Sequence, residues 1–340
     1  MDTETIAKAA QKCIENNPII VIGSGASIPH GIPGMHDLSV YLQQNVAPED
    51  ARDHEAWEKV QDELRDGSHL EQALSDVSLP SSLVEVILGH TWTFIAGHDK
   101  DVFMKSARGE EQYPLADLLY QLSRSTNIQL HIVTPNYDRL AEYAVDMSQM
   151  IHATGFGPGY IRRREGAERY SFRRGAHVQR TVRIWKVHGS LDWFEDPEGV
   201  PISLPITENL PDGLRPLIVT PGVSKYERTH DEPFRSVIQG ADSALQDANS
   251  FMCIGYGFRD SHIQPKLVER CRQMHVPIVI LARTLTDEAR QFITNGAGDN
   301  FLALECDGDG TKCYLSEVPE GFVIPGSSFW SLDRFNKLAF

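Results

Sequence analysis

Short, nearly continuous apolar runs recur along the chain, each closed by a turn signal. They are Ile19–Ile22, Leu130–Thr134, Val182–Val187, Leu217–Thr220, Phe251–Gly255, Pro277–Ala282 and Phe301–Cys306. They do not alternate apolar with polar positions, which predicts strands buried on both faces of a parallel sheet. Helical patterns lie between several of them. Pro114–Ser125 precedes the second run with proline at a first-turn position, Tyr137–Gln149 follows it, and Pro233–Ala248 precedes the fifth. This alternation predicts an α/β protein with a Rossmann-like, doubly wound parallel sheet.

Two stretches interrupt the alternation. Residues 38–112 carry charged, amphipathic segments and no good strand, and they read as a helical insertion whose helices break at Gly67. Residues 150–180 are rich in glycine and arginine and read as a long loop. No internal repeat, low-complexity tract or heptad run is visible.

Composition narrows the function classes. The chain has 340 residues and a formal net charge of -15, with one basic run, Arg162 to Arg174. An affinity built on neutralising phosphates needs basic surface, so direct nucleic-acid binding is not expected, and the run reads first as a solvated mixed-charge loop. No apolar run approaches the roughly 20 residues that span a bilayer. The acidic, amphipathic N-terminus is unlike a signal peptide. The five cysteines, Cys13, Cys253, Cys271, Cys306 and Cys313, form no C-x-x-C pair. A metal site is therefore not expected, and the odd count fits a reducing, cytoplasmic setting.

Four strand ends carry candidate chemistry. Gly23-Ser24-Gly25-Ala26-Ser27 follows the first run, and a turn of small residues lets backbone N–H groups approach a pyrophosphate. A purely structural tight turn has the same composition. Asn136 and Asp138 follow the second run, where ligands of open α/β sheets sit, and where a helix cap would also sit. His188 ends the third run beside Gly189, with a side chain suited to general-base work or to an ordinary structural role. Gly255-Tyr256-Gly257 ends the fifth, with Arg259, Asp260 and His262 behind it; the glycines permit close approach to a ribose or adenine, and His262 reads as orienting the loop.

In this order the motifs resemble the Sir2 family of NAD-consuming enzymes. Gly23, Gly25, Ser27, Gly31, Ile32 and Pro33 match the Gly-Ala-Gly-Ile-Ser and Gly-Ile-Pro parts of the sirtuin signature. Asn136 and Asp138 match its Gln-Asn-Ile-Asp stretch, and His188-Gly189 its catalytic His-Gly. The chain departs from sirtuins at Gly34-Met35-His36, at Pro135 and in lacking the zinc-binding cysteine quartet. These departures are similar to the SIR2-like proteins of bacterial anti-phage systems, which share T-x-N-Y-D and the G-Y-x-F-x-D-x-H-I pattern seen at Gly255 to Ile263.

The resemblance implies a single SIR2-like catalytic domain over residues 1–340, with the insertion at about 38–112 inside it and no zinc module. It implies NAD⁺ as substrate, cleaved at the nicotinamide N-glycosidic bond to deplete NAD during infection. Asn136, Asp138 and His188 would be catalytic. Gly23, Ser24, Gly25, Ala26, Ser27, Pro33, Asn136, Asp138, Gly255, Tyr256 and Gly257 would hold the nucleotide. The expected partners are further copies of the chain and a HerA-type ATPase, with a short Argonaute as alternative and no membrane. A Sir2-type deacylase or ADP-ribosyltransferase, a silent NAD or ADP-ribose sensor and a Rossmann dehydrogenase are the rival readings. The dehydrogenase lacks its G-x-G-x-x-G fingerprint here.

Overall fold

The computed structural model describes residues 3–125, 128–166, 171–220, 222 and 231–340. In chain order its strands are β1 (Ile19–Ile22), β2 (Gln129–Thr134), β3 (Ile151–Ala153), β4 (Arg162–Arg163), β5 (Arg173–Arg174), β6 (His177–Val178), β7 (Thr181–Lys186), β8 (Gly189–Glu195), β9 (Pro201–Ser203), β10 (Arg215–Ile218), β11 (Phe251–Ile254), β12 (Ile278–Ala282), β13 (Phe301–Asp307), β14 (Gly310–Leu315) and β15 (Val318–Ile324). Nine of them form one sheet in the order β15-β14-β13-β12-β11-β1-β2-β7-β3. Every pairing from β13 through to β3 is parallel; β14 and β15 extend the edge antiparallel. The fold is α/β and Rossmann-like.

Alternate residues of each strand face opposite sides. Ile20, Ile22, Leu130, Ile132, Val182 and Ile184 pack under α1 (Thr3–Glu15), α6 (Pro114–Ser123), α7 (Leu140–Met147) and α11 (Leu332–Ala339). Ile19, Val21, Val133, Trp185 and Cys253 pack under α8 (Phe234–Gln246), α9 (Gln264–Val268) and α10 (Asp287–Asn295). Because both faces are covered, the central strands β1, β11 and β12 are apolar throughout. Burying each Ile, Leu or Val side chain contributes about 1.5–3 kcal/mol.

Residues Met35–Ala107 hold α2 (Met35–Asn45), α3 (Ala51–Arg65), α4 (Leu70–Asp76) and α5 (Ser81–Ala107). Asp50 caps α3, accepting from the N–H groups of Arg52 and Asp53, and Gly67 ends that region at φ +96. These helices share a third apolar cluster with Leu191, Phe194, Ile202 and Ile218.

Two expectations are corrected. The Leu217–Thr220 run gives β10, but in a second sheet, β10-β8-β9-β4. Gly189 turns at φ +86, where any Cβ would overlap the Leu217 carbonyl, and sends the chain out of the main sheet into β8. Residues 150–180 are not simply a loop: β3 pairs with β7 at the sheet edge, β4 joins the second sheet, and β5 pairs with β6. Residues 167–170 lie outside the described ones. The apolar run at Phe301 is followed by a hairpin, β14–β15, after the turn at Gly308.

Candidate functional site

The sheet order β7-β2-β1-β11 makes the four motif-bearing strands neighbours, so all four motifs lie along one carboxyl edge. The central turn differs from the expected cradle. Two short 3₁₀ turns, Ser24–Ala26 and Ile28–His30, follow β1, and an α-helix begins only at Met35. Most of the turn's N–H groups are used within the protein. Gly23 donates to Ile254 O, Gly25 to Gly255 O, Ala26 to Gly23 O and Ser27 to Ser24 O. Among the described residues, the Ser24 N–H is left without a protein acceptor.

The glycines are needed for a different contact than the one expected. Gly255 takes φ +56, and a Cβ on it would overlap Ala26 N and stand 2.8 Å from Gly25 Cα. A Cβ on Gly25 would stand 2.9 Å from Gly255 O. The β1 and β11 turns therefore press backbone to backbone, which only glycine allows. Gly257 is under no such constraint: its nearest neighbour would be Thr286 Cγ2 at 3.5 Å. The Tyr256 side chain packs in the core, its ring 4.9 Å from that of Phe258. Burial pushes its phenol well above the ordinary value. Pro33 sits half-buried just before α2, after the left-handed Gly31.

Ser27 is buried rather than facing a ligand. Its hydroxyl donates to Asp138 Oδ2 at 2.8 Å and accepts from Asn136 Nδ2 at 3.1 Å. With Asp138 ionised, the single hydroxyl proton goes to the carboxylate, which fixes the Asn136 amide with Nδ2 inward. The Asn136 N–H also donates to Thr134 Oγ1 at 3.0 Å, and that hydroxyl donates to Ile22 O at 2.8 Å, tying β2 to β1. Asn136 remains half-buried, with its amide oxygen turned away from Ser27.

Asp138 is 6% exposed and has two further partners. Its Oδ1 accepts from Leu140 N at 3.2 Å at the start of α7, so it also serves as a cap. The wholly buried Lys186 donates to the Asp138 carbonyl and stands 3.2 Å from Glu142 Oε1. Burial raises the Asp138 carboxyl, and Lys186, Ser27 and the Leu140 N–H counter it in part.

His188 lies in the turn between β7 and β8 and is 7% exposed. Its Nε2 stands 2.9 Å from Asp260 Oδ2, close in distance but off hydrogen-bond alignment. Asp260 Oδ1 accepts from the N–H groups of His262 at 2.9 Å and Ile263 at 3.0 Å. Asp260 therefore helps order this loop; the His262 ring lies 6.4 Å from that of His188. Burial would raise the Asp260 carboxyl, but His188 and the two N–H groups outweigh it and hold it well below the usual range. Two strands separate β7 from β11, so the His188–Asp260 contact closes over the ends of β2 and β1.

The structure thus gathers Ser27, Asn136 and Asp138 into one bonded group and joins His188 to Asp260. Asp260 and Lys186 were not among the expected site residues. Asp260 carried a signal, an aspartate two residues before His262 after a glycine turn; Lys186 is one of two cations in an otherwise apolar run and carried none.

A parallel sheet with polar side chains converging on the carboxyl ends of its central strands defines a Rossmann-like α/β protein with its site at the strand-order reversal. Residues 130–291 match the family model described as a SIR2-like domain. No curated protein matches the chain. Among solved structures it is similar to one determined for the mechanism and regulation of Sir2 enzymes, at 14% identity over 88% of this chain and 92% of that one, TM-score 0.43. It is similar to a mutant Sir2 homologue bound to 2′-O-acetyl-ADP-ribose, at 15% identity over 100% and 96%, TM-score 0.48. A Sir2 homologue–NAD complex matches at 15% identity over 88% of each chain, TM-score 0.40. Among the described residues no three or more His, Cys, Asp or Glu gather as metal ligands, and no helix is long and apolar enough to cross a membrane.

Proposed function

We propose that the chain binds NAD⁺ along this edge and hydrolyses it to nicotinamide and ADP-ribose. The observation that carries the reading is the Ser27–Asn136–Asp138 group. A buried carboxylate and hydroxyl fix the Asn136 amide so that its oxygen is a set acceptor for a ribose hydroxyl or a water. Binding alone does not call for a buried relay behind one amide. The free Ser24 N–H and exposed Gly25 offer a phosphate one backbone donor and close approach, fewer donors than a full cradle.

Cleavage of the N-glycosidic bond builds positive charge on the ribose, and the nicotinamide leaves neutral. The protein's task is to hold the sugar and place a water. Asn136 orients the water or the ribose hydroxyls. Asp138 acts through Ser27 and Asn136. His188 takes a proton; its Nε2 faces the Asp260 carboxylate at 2.9 Å, which leaves Nδ1 as the accepting atom. The Asp260 carboxylate holds the ring in place for that transfer. We further propose that this activity depletes NAD during phage infection and is triggered by assembly or by a partner chain, a HerA-type ATPase first.

Incubating the chain with NAD⁺, with and without an acyl-lysine peptide, tests the reaction class. Free ADP-ribose regardless of peptide supports the hydrolase. O-acyl-ADP-ribose formed only with peptide replaces it with a deacylase.

A further inference from the structure

The residue after Asp138 is held by a different part of the molecule. Asp99, fully buried in the long helix α5, accepts four hydrogen bonds. Three come from Arg139: its backbone N–H at 2.7 Å, Nε at 2.9 Å and Nη2 at 2.6 Å. The fourth comes from the Tyr143 hydroxyl at 2.6 Å, one turn along α7. The two guanidinium donors converge on Oδ2 while the backbone N–H takes Oδ1, so these charge-assisted bonds fix orientation as well as distance. The bond to the Arg139 N–H matters most. It pins the peptide between Asp138, whose carboxylate receives Ser27, and Leu140, whose N–H returns to that same carboxylate. Lys186 holds the Asp138 carbonyl. Four residues beyond Asp99, Phe103 is 38% exposed and lays its ring 5.6 Å from that of Tyr143.

We propose that Asp99 is a positioning residue: through Arg139 it makes helix α5 part of the scaffold that aims Asp138 and Asn136. Asp99 touches no group that would meet a substrate, so its effect passes through the loop and through its charge, which raises the Asp138 carboxyl. The proposal rests on the hydrolase reading for its activity arm alone.

The test is Asp99→Asn, which turns an amide NH₂ toward the Arg139 donors, with Arg139→Lys as the second variant, which keeps the charge and loses the two guanidinium donors. Hydrogen exchange at the Asn136, Asp138 and Leu140 amides is read beside exchange in β1, and NAD⁺ kinetics are run well below the melting temperature. We expect faster exchange in the loop with β1 unchanged, and kcat lower by about tenfold to 10²-fold with KM within about threefold. Loop exchange and kcat both at wild-type values in a folded variant would overturn the proposal, as would exchange rising equally in β1. If the wild type hydrolyses no NAD⁺ while the loop exchange still rises selectively, the hydrolase reading fails and the positioning role stands.

Discussion

Ser27 gives its hydroxyl proton to Asp138 at 2.8 Å, joining the turn after β1 to the loop after β2 across 111 positions of chain. Both groups are buried, so each depends on the other for its hydrogen bond. Ser27→Ala leaves Asp138 Oδ2 and Asn136 Nδ2 without that partner. The expected cost is about 1–3 kcal/mol of stability, read by denaturant melting. Hydrolysis is expected to fall by about tenfold or more, because the Asn136 amide is no longer held one way round. A stable Ser27→Ala protein with unchanged kcat would remove the relay from the account.

The glycine turns give a paired prediction. Gly255→Ala forces a left-handed residue and a Cβ into the backbone of Gly25 and Ala26. It should cost well over the roughly 1–2 kcal/mol of the left-handed strain alone. Gly257→Ala meets only Thr286 Cγ2 at 3.5 Å and should cost less than about 1 kcal/mol. Equal melting temperatures for the two variants would contradict the turn-to-turn packing.

His131 makes stability depend on mild acid. Burial first, and Arg183 second, push it down to about 4. An unfolded histidine titrates near about 6.5. Between those values the unfolded chain takes a proton that the folded one refuses, so stability falls as pH drops from about 6.5 to about 4. His131→Gln removes that proton, and its melting temperature should fall less than the wild type's across the same window.

Asp260 acts at lower pH and with the opposite charge. Its folded carboxyl is held below the usual range, so its contribution is complete above about pH 3.9 and is lost as pH falls below that value. The melting-temperature gap between wild type and Asp260→Asn should therefore be steady near pH 6 and narrow progressively as pH falls below about 3.9. A gap that does not narrow there would mean that the fold does not favour the Asp260 carboxylate.

The parallel strands were legible because burial on both faces leaves an unbroken apolar run, as at Ile19–Ile22 and Ile278–Ala282. Their place in a sheet was not: Leu217 and Ile218 read like core-sheet residues and belong to the second sheet, because a single glycine, Gly189, redirects the chain. The positions of Asn136, Asp138 and His188 at strand ends were visible as polar residues closing apolar runs. Their partners were not. Ser27 read as a ligand contact, while Asp99 and Lys186 lie far off in sequence or inside apolar runs, and only the folded chain brings them to Arg139 and Asp138. The glycine pattern alone suggests space for a nucleotide, and it does not reveal that Gly25 and Gly255 press their backbones together.

The most direct measurement is a time course of nicotinamide and ADP-ribose released from NAD⁺, followed by chromatography, for the wild type beside Asn136→Ala and His188→Ala. It is run on the chain alone and with a candidate HerA-type partner. The account predicts equal amounts of both products from the wild type in at least one condition. It predicts losses of about 10² to 10⁴ in rate for His188→Ala, with Asn136→Ala comparably silent. NAD⁺ that binds and survives in every condition, or variants that turn over at the wild-type rate, would contradict it.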